Sequence, residues 1–286
     1  MLVSKDITGV IVLYDTTNEI IDCLKRLKDI KFIIVDNGKC NSKIINEILK
    51  FENILKYFKP KKNLGFGRAN NFAFKYVRTK YTLLINADVK TSVKDVEELV
   101  NTFAKYPNTG ISVPILVDEN NTNIDILECL PEVASKFENQ SSINKKKLMS
   151  GDTCINFCWG AIMLLNNEII KKTKLFNKKY FLFWEDYDLC RKLYNKKIPI
   201  IKTYVSRAQH LKHKSVNDNY KNYFLIQMHH VLSSYIYFNV DKNDNLLTKK
   251  IFIYIFRSIT YIFILNIKKS LKNIARLTAI IKYKFK

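Results

Sequence analysis

Glycine and proline are scarce in this chain, seven and five among 286 residues. Collagen-like and low-complexity classes are thereby excluded. The six cysteines, at 23, 40, 129, 154, 158 and 190, form no CxxC pair. Such scatter suits reduced thiols in a cytosolic protein better than a disulfide framework or a zinc ribbon. The chain has no H-E-x-x-H, no G-x-S-x-G and no GK[ST] loop, so zincin, hydrolase-elbow and P-loop chemistry lose support. Met1–Asp15 has too short an apolar stretch, and no small-residue cleavage site, to read as a signal peptide. Acids are the other shortage: 26 Asp and Glu face 48 Lys and Arg, a net charge of +22. No acid follows Asp244, and none lies between Leu189 and Asn217. An excess of that size calls for a polyanionic neighbour, whether nucleic acid, an anionic membrane face or phosphorylated substrates. No helix-turn-helix, RRM signature or zinc finger is present, so nucleic acid is not the expected partner.

What is abundant is apolar material, 47% of residues with 13% aromatic, enough for a large core. Ile7–Tyr14, Phe32–Val35 and Tyr81–Ile85 are continuous apolar runs of the kind that form strands covered on both faces. Helices are expected between them: after a Thr16/Glu19 capping box, over Ser42–Phe51, and from about Arg68 to Val77. A helix over Asp95–Tyr106, stopped by Pro107, precedes a strand at Gly110–Val117. Asp118–Ser150 is polar and Asn-rich, an irregular excursion. Cys154–Leu165 reads as a strand or strand pair, Glu185–Tyr194 as a helix, Ile198–Tyr204 as a strand, and His210–Ser215 as a basic loop. Alternating strands and helices with short links predict a parallel α/β sheet, whose ligand sits beyond the carboxyl ends of the strands. Loops 36–38, 63–67 and 86–88 lie at or near that edge.

The tail differs in kind. Ile251–Ile267 is mostly apolar, but at about 26 Å it falls short of a hydrocarbon core of about 30 Å. In Ser270–Lys286, Leu271, Ile274, Leu277, Ile281 and Phe285 share one helical side, and Lys272, Arg276, Lys282 and Lys286 surround it. That pattern suits a basic helix lying in a headgroup layer, or equally a helix packed on the core with a solvated basic face. The expected division is therefore a catalytic unit at 1–215 and a helical, membrane-associating extension at 216–286.

Several positions carry chemistry or an ordinary structural role. Asp36 can accept from a nucleotide base or sugar, and Asp-Asn-Gly is also a common turn. The stretch Asn63-Leu64-Gly65-Phe66-Gly67 before a helix offers amides to a diphosphate, or is a turn that needs glycine. Asp88 can bind Mg²⁺ or Mn²⁺ or cap the next helix, a task for which Ser92 competes. Glu185, Asp186 and Asp188 fall within one helical turn after an aromatic patch, where burial would raise a carboxyl toward a useful base. His210 is a ligand only if another lies near it.

In order and spacing these segments resemble the family 2 glycosyltransferases of GT-A fold, in particular their rhamnosyltransferase-like branch. The resemblance rests on Val10–Tyr14, Ile34–Gly38, Asn63–Asn71, Leu84–Asp88, Gly160–Leu164, Phe183–Cys190, and His210 with Ser215. It implies a Rossmann-like mixed sheet flanked by helices, and inverting transfer of a sugar from a dTDP- or UDP-linked donor. Tyr14, Asp36, Asn63, Gly65, Gly67, Asn70, Asn86 and Asp88 would bind the nucleotide-sugar. Mg²⁺ or Mn²⁺ would sit on Asp88 and His210, and Asp186 would be the base. Trp159, Gly160, Glu185 and Asp188 would meet a glycan or polyprenyl-diphosphate-linked acceptor. The resemblance and the basic tail together suit an enzyme peripheral to the cytoplasmic face of a membrane. Asn86 replaces the first Asp of the family's DxD motif, Asp15 the usual Asn, and Phe176-Asn177-Lys178 a common Phe-Asp-Glu. A nucleotidyltransferase releasing pyrophosphate, or an inactive basic binding protein, remain the alternatives.

Overall fold

The computed structural model describes residues 3–14, 18–38, 40–124, 129–134, 151–211 and 219–285. Thr16 of the expected capping box, Asp15, His213, Ser215, much of 118–150 and the 215/216 boundary lie outside the described residues.

The apolar runs become strands β1 (Ile7–Leu13), β2 (Lys31–Asp36) and β4 (Tyr81–Ile85). A further strand, β3 (Ile54–Phe58), forms the sheet edge beside β2. Then come β5 (Val89–Lys90), β6 (Ile111–Val117), β7 (Thr153–Ile155), β8 (Ile162–Asn166) and β9 (Ile200–His210). The helices are α1 (Glu19–Arg26), α2 (Ser42–Ile48), α3 (Phe66–Phe74), α4 (Val93–Lys105), α5 (Pro131–Ala134), α6 (Asn167–Thr173), α7 (Glu185–Asn195), α8 (Tyr220–Tyr237), α9 (Asn245–Phe263) and α10 (Ile267–Lys284).

The sheet runs β3-β2-β1-β4-β8-β6-β9-β5, with β7 on β9. It is mixed rather than parallel throughout, because β8 lies antiparallel to both β4 and β6. Pairing of β1 with β2 and β4, and of β6 with β9, is parallel. The carboxyl ends of β1, β2, β4, β6 and β9 therefore share one edge with the amino end of β8.

Alternate strand residues feed two cores, as the two-residue period of a strand requires. Ile11, Phe32 and Ile34 pack with Leu24, Leu99 and Phe103 under α1 and α4. On the other face, Val10, Ile33 and Val35 pack with Ala69, Ala73, Leu189 and Leu193 of α3 and α7. Each such large aliphatic side chain contributes about 1.5–3 kcal/mol on full burial.

The C-terminal helices are fastened to this unit. The Ser233 hydroxyl of α8 donates to the Leu182 carbonyl at 2.8 Å, and Arg191 of α7 donates to the Tyr237 carbonyl at 2.9 Å. The Tyr237 hydroxyl in turn donates to Glu132. Small residues Ala275 and Ala279 let α10 close on Met228 of α8. Asp244, the last acid of the chain, caps α9 by accepting from Leu246 N.

Candidate active site

Each strand end at this edge delivers one polar group. Asp36 closes β2 fully buried, and its carboxylate accepts from Gly38 N at 3.1 Å, from the Tyr57 hydroxyl at 2.8 Å and from Lys59. Burial, with the Asp36 carboxylate beside it, pushes the Tyr57 hydroxyl pKa well up. Tyr57 escaped sequence reading because its strand, β3, has only a half-buried edge pattern. Tyr14 follows the end of β1 and is half-buried.

Asn37 ties the next loop in place. Its side chain accepts from Leu64 N at 2.7 Å and donates to the Gly65 carbonyl at 3.2 Å. Gly65 N donates to Asn63 Oδ1, and Phe66 N to the Phe181 carbonyl. Leu64, Gly65 and Phe66 all spend their N–H groups within the protein. Gly65 is required by backbone shape: its φ is +79°, and a Cβ would stand 2.0 Å from the Phe181 oxygen. Asn70, buried in α3, donates to the Phe66 carbonyl one turn back. Its neighbour Asn71, which sequence reading did not single out, grips the Phe176 backbone with both side-chain ends, at 2.8 and 3.0 Å.

These clamps hold the aromatic segment that leads into α7. Phe183 and Trp184 both adopt left-handed backbone angles, φ +66° each. Two such residues in succession cost on the order of 1–3 kcal/mol each and persist only where packing imposes them. Trp184 is packed by Tyr187, Tyr237, Phe238 and His230. The strained turn starts α7 abruptly and sends its three acids in different directions. Glu185 is buried beside Gly67, with Oε2 lacking a hydrogen-bond partner. Asp188 faces Tyr180, Arg191 and Lys192, at 3.3, 3.3 and 3.7 Å. Its carboxylate belongs to an internal ion-pair cluster.

Asp186 turns the other way, toward Gly160. Its carboxylate accepts from Tyr187 N at 2.9 Å and from Gly160 N at 3.4 Å. Burial pushes the Asp186 carboxyl above its ordinary range, and those two amides pull it partly back. Burial also raises Glu185, with the Asp186 charge adding to the effect. Gly160 keeps the approach open, because a Cβ there would already press the Phe66 ring at 3.3 Å. Trp159 beside it is 43% exposed and leans against Phe157.

One peptide further, the Ala161 carbonyl accepts from Asn86 N at 2.8 Å. The Gly160–Ala161 turn is thereby shared by Asp186 and the Asn86-Ala87-Asp88 loop. Asp88 is buried, and its Oδ1 has no hydrogen-bond partner. His210 Nε2 lies 3.5 Å from that oxygen. The pairing Val89↔His210 sets this approach, so His210 ends a strand instead of lying in a loop as expected. Ser92 caps α4 in a reciprocal box with Asp95, which leaves the Asp88 carboxylate outside any cap.

An orphaned carboxylate oxygen beside an imidazole can offer two ligands to a divalent cation that completes its coordination elsewhere. Among the described residues no three His, Cys, Asp or Glu side chains gather to hold a metal alone. The residues present therefore fit a metal shared with its substrate.

Residues 10–173, more than half of the chain, match the family described as Glycosyl transferase family 2. The chain belongs to that family. A curated relative, rhamnosyltransferase WbbL of Escherichia coli (strain K12), is 26% identical over 169 residues, 54% of this chain and 62% of its own length. Among solved structures, mannosyltransferase PcManGT from Pyrobaculum calidifontis, in complex with GDP-Man and Mn²⁺, superposes with a TM-score of 0.58 at 12% identity, over 97% of this chain and 73% of its own. S. aureus TarS 1-349 with UDP-GlcNAc gives 0.55 at 10% identity, over 80% and 66%. GalNAc-T7 with UDP, GalNAc and Mn²⁺ gives 0.55 at 13%, over 72% of this chain and 43% of its own. The likeness to these glycosyltransferases establishes the GT-A fold for the family 2 chain. Against WbbL and GalNAc-T7 it spans less than two thirds of the relative's length.

Proposed function

We propose that this family 2 chain is an inverting glycosyltransferase that moves a sugar from a dTDP- or UDP-linked donor to a hydroxyl of a glycan or polyprenyl-diphosphate-linked glycan. One observation carries the reading. A half-buried carboxylate held above its ordinary pKa, Asp186, shares the Gly160–Ala161 turn with the loop bearing the orphaned Asp88 and its neighbour His210. Structural relatives bound to GDP-Man, UDP-GlcNAc or UDP with Mn²⁺ support the donor class.

In this reading Asp36, fixed by Tyr57 and Lys59, meets the nucleotide base at the end of β2. Asp88 and His210 would hold Mg²⁺ or Mn²⁺, which would supply positive charge to offset that of the departing diphosphate. Tyr14, Asn86 and Gly67 line the donor side, and Trp159, Gly160 and Glu185 the acceptor side. Asp186 accepts the proton of the acceptor hydroxyl as its oxygen forms the new bond to the anomeric carbon. The bond from that carbon to the diphosphate breaks on the opposite face, and the pair of electrons leaves with the nucleotide. Burial suits Asp186 to this task, since a raised carboxyl is a stronger base than one in water. The two fixed substrates then react without a further entropic cost of encounter. The chain would work peripherally at the cytoplasmic face of a membrane.

The test is a panel of nucleotide-sugars with Mn²⁺, read by thermal stabilisation and by the nucleotide released. Stabilisation by one dTDP- or UDP-sugar, with release of nucleoside diphosphate, is expected. Release of pyrophosphate, or no response to any donor, would overturn the reading.

A further inference from the structure

Helix α9 is apolar on nearly every side, yet only a narrow stripe of it is covered. Leu247 and Ser258 are buried, with Ile251 and Tyr254 half-buried between them against the rest of the bundle. On the outward side Phe252, Phe256, Ile259 and Phe263 recur at i, i+4, i+7 and i+11, one face of a helix. Phe256 is 73% exposed and Phe263 is 81% exposed. The turn into α10 continues the patch, with Leu265 at 86%. Scattered apolar residues are normal on a protein surface, but a continuous face of this length marks an interaction site.

Charge decides the partner. Lys249 and Arg257 of α9 and Lys268 and Lys269 at the start of α10 are exposed, and no acid follows Asp244. Two copies of the chain meeting here would bring like charges together, whereas a surface of lipid phosphates would neutralise them. No helix among the described residues is long and apolar enough to cross a membrane. An apolar face on a cationic helix that does not span is the form that lies in the headgroup layer.

We propose that the outward face of α9, with the α9–α10 turn, is the docking surface for an anionic bilayer, its phenylalanines entering the acyl boundary and its lysines pairing with lipid phosphates. The sequence pattern assigned this role to the C-terminal helices together and left open whether 251–267 lies on the bilayer or packs on the core. In the fold α10 commits Ala275, Ala279 and Ile280 to the bundle, and the larger open face is that of α9. The helix α8, on which α10 packs, is itself tied to the Leu182 carbonyl ahead of α7 through Ser233. This inference rests on the membrane-face part of the proposed function and is independent of the transfer chemistry.

The experiment is flotation of the full chain with vesicles of phosphatidylglycerol and phosphatidylcholine, compared with phosphatidylcholine alone. The native chain is expected to float with the anionic vesicles. F256E/F263E should weaken that binding about tenfold or more, since two aromatic side chains lose their burial. K268E/K269E should weaken binding several-fold on anionic vesicles and leave the weak association with neutral ones unchanged. Both variants should keep the native thermal stabilisation by nucleotide-sugar, which tests folding and donor binding separately from docking. Failure of the native chain to float, or unchanged flotation of F256E/F263E, would overturn the proposal. A concentration-dependent dimer that F256E/F263E dissociates would also overturn it, in favour of a second copy. A native chain that floats but answers to no donor would refute the transfer reading and leave the docking surface standing.

Discussion

Replacing Gly65 by alanine tests whether the 63–67 loop is a structural junction. Three costs can be read from the structure. The backbone at Gly65 has φ +79°, where a Cβ costs about 1–2 kcal/mol. That Cβ would stand 2.0 Å from the Phe181 carbonyl oxygen, a backbone atom, so the two segments must separate. Separation breaks the bond from Phe66 N to the same oxygen and leaves buried polar groups unpaired, about 1–3 kcal/mol more. The sum is roughly 2–5 kcal/mol, a large part of an ordinary domain's stability. Gly151 supplies the control, since a Cβ there meets nothing within 4 Å. Urea denaturation followed by far-UV circular dichroism is the assay. Gly65→Ala should lower the midpoint strongly, while Gly151→Ala stays within about 0.5 kcal/mol of the native chain. A Gly65→Ala protein as stable as the native one would refute the account of this junction.

Asn71→Ala removes both bonds to the Phe176 backbone and should cost about 2–3 kcal/mol in the same assay. Glu185→Gln should change the pH dependence of stability. Burial raises the native Glu185 pKa above its unfolded value, so between the two the native state holds more protons. Its contribution is fully present below the ordinary carboxylate range and is lost as pH rises through the raised value. Melting temperatures from pH 5 to 9 should therefore fall less steeply in Glu185→Gln than in the native chain. The rate should show an acid limb, because Asp186 must be unprotonated to act, and desolvation should displace that limb upward from the ordinary carboxylate pKa of about 3.9. A pH profile of kcat/KM checks this.

Much of the fold was legible because β1, β2 and β4 are buried on both faces, and such strands write unbroken apolar runs. β3 was missed because an edge strand leaves Leu55 and Lys56 exposed and so shows no such run. His210 was read as a loop residue because the polar end of β9 carries no apolar pattern, yet its ladder pairing to Val89 brings it to Asp88. The acids at 185, 186 and 188 were visible as a group. Their separate duties depend on the Phe183–Trp184 turn, whose left-handed angles no spacing rule foretells in two bulky aromatics. Likewise, periodicity shows that α9 is apolar but not which of its faces the bundle covers. The Asn37 and Asn71 clamps are long-range bonds to backbone, and no local pattern marks them.

The most direct test compares Asp186→Asn with Asp88→Asn, measuring Mn²⁺-dependent nucleotide-sugar binding and sugar transfer side by side. Asp186→Asn should keep donor affinity while transfer falls on the order of a hundredfold or more, because only the proton acceptor is lost. Asp88→Asn should lose the Mn²⁺-dependent part of donor binding as well. Native rates in Asp186→Asn, or unaltered Mn²⁺-dependent binding in Asp88→Asn, would contradict the account.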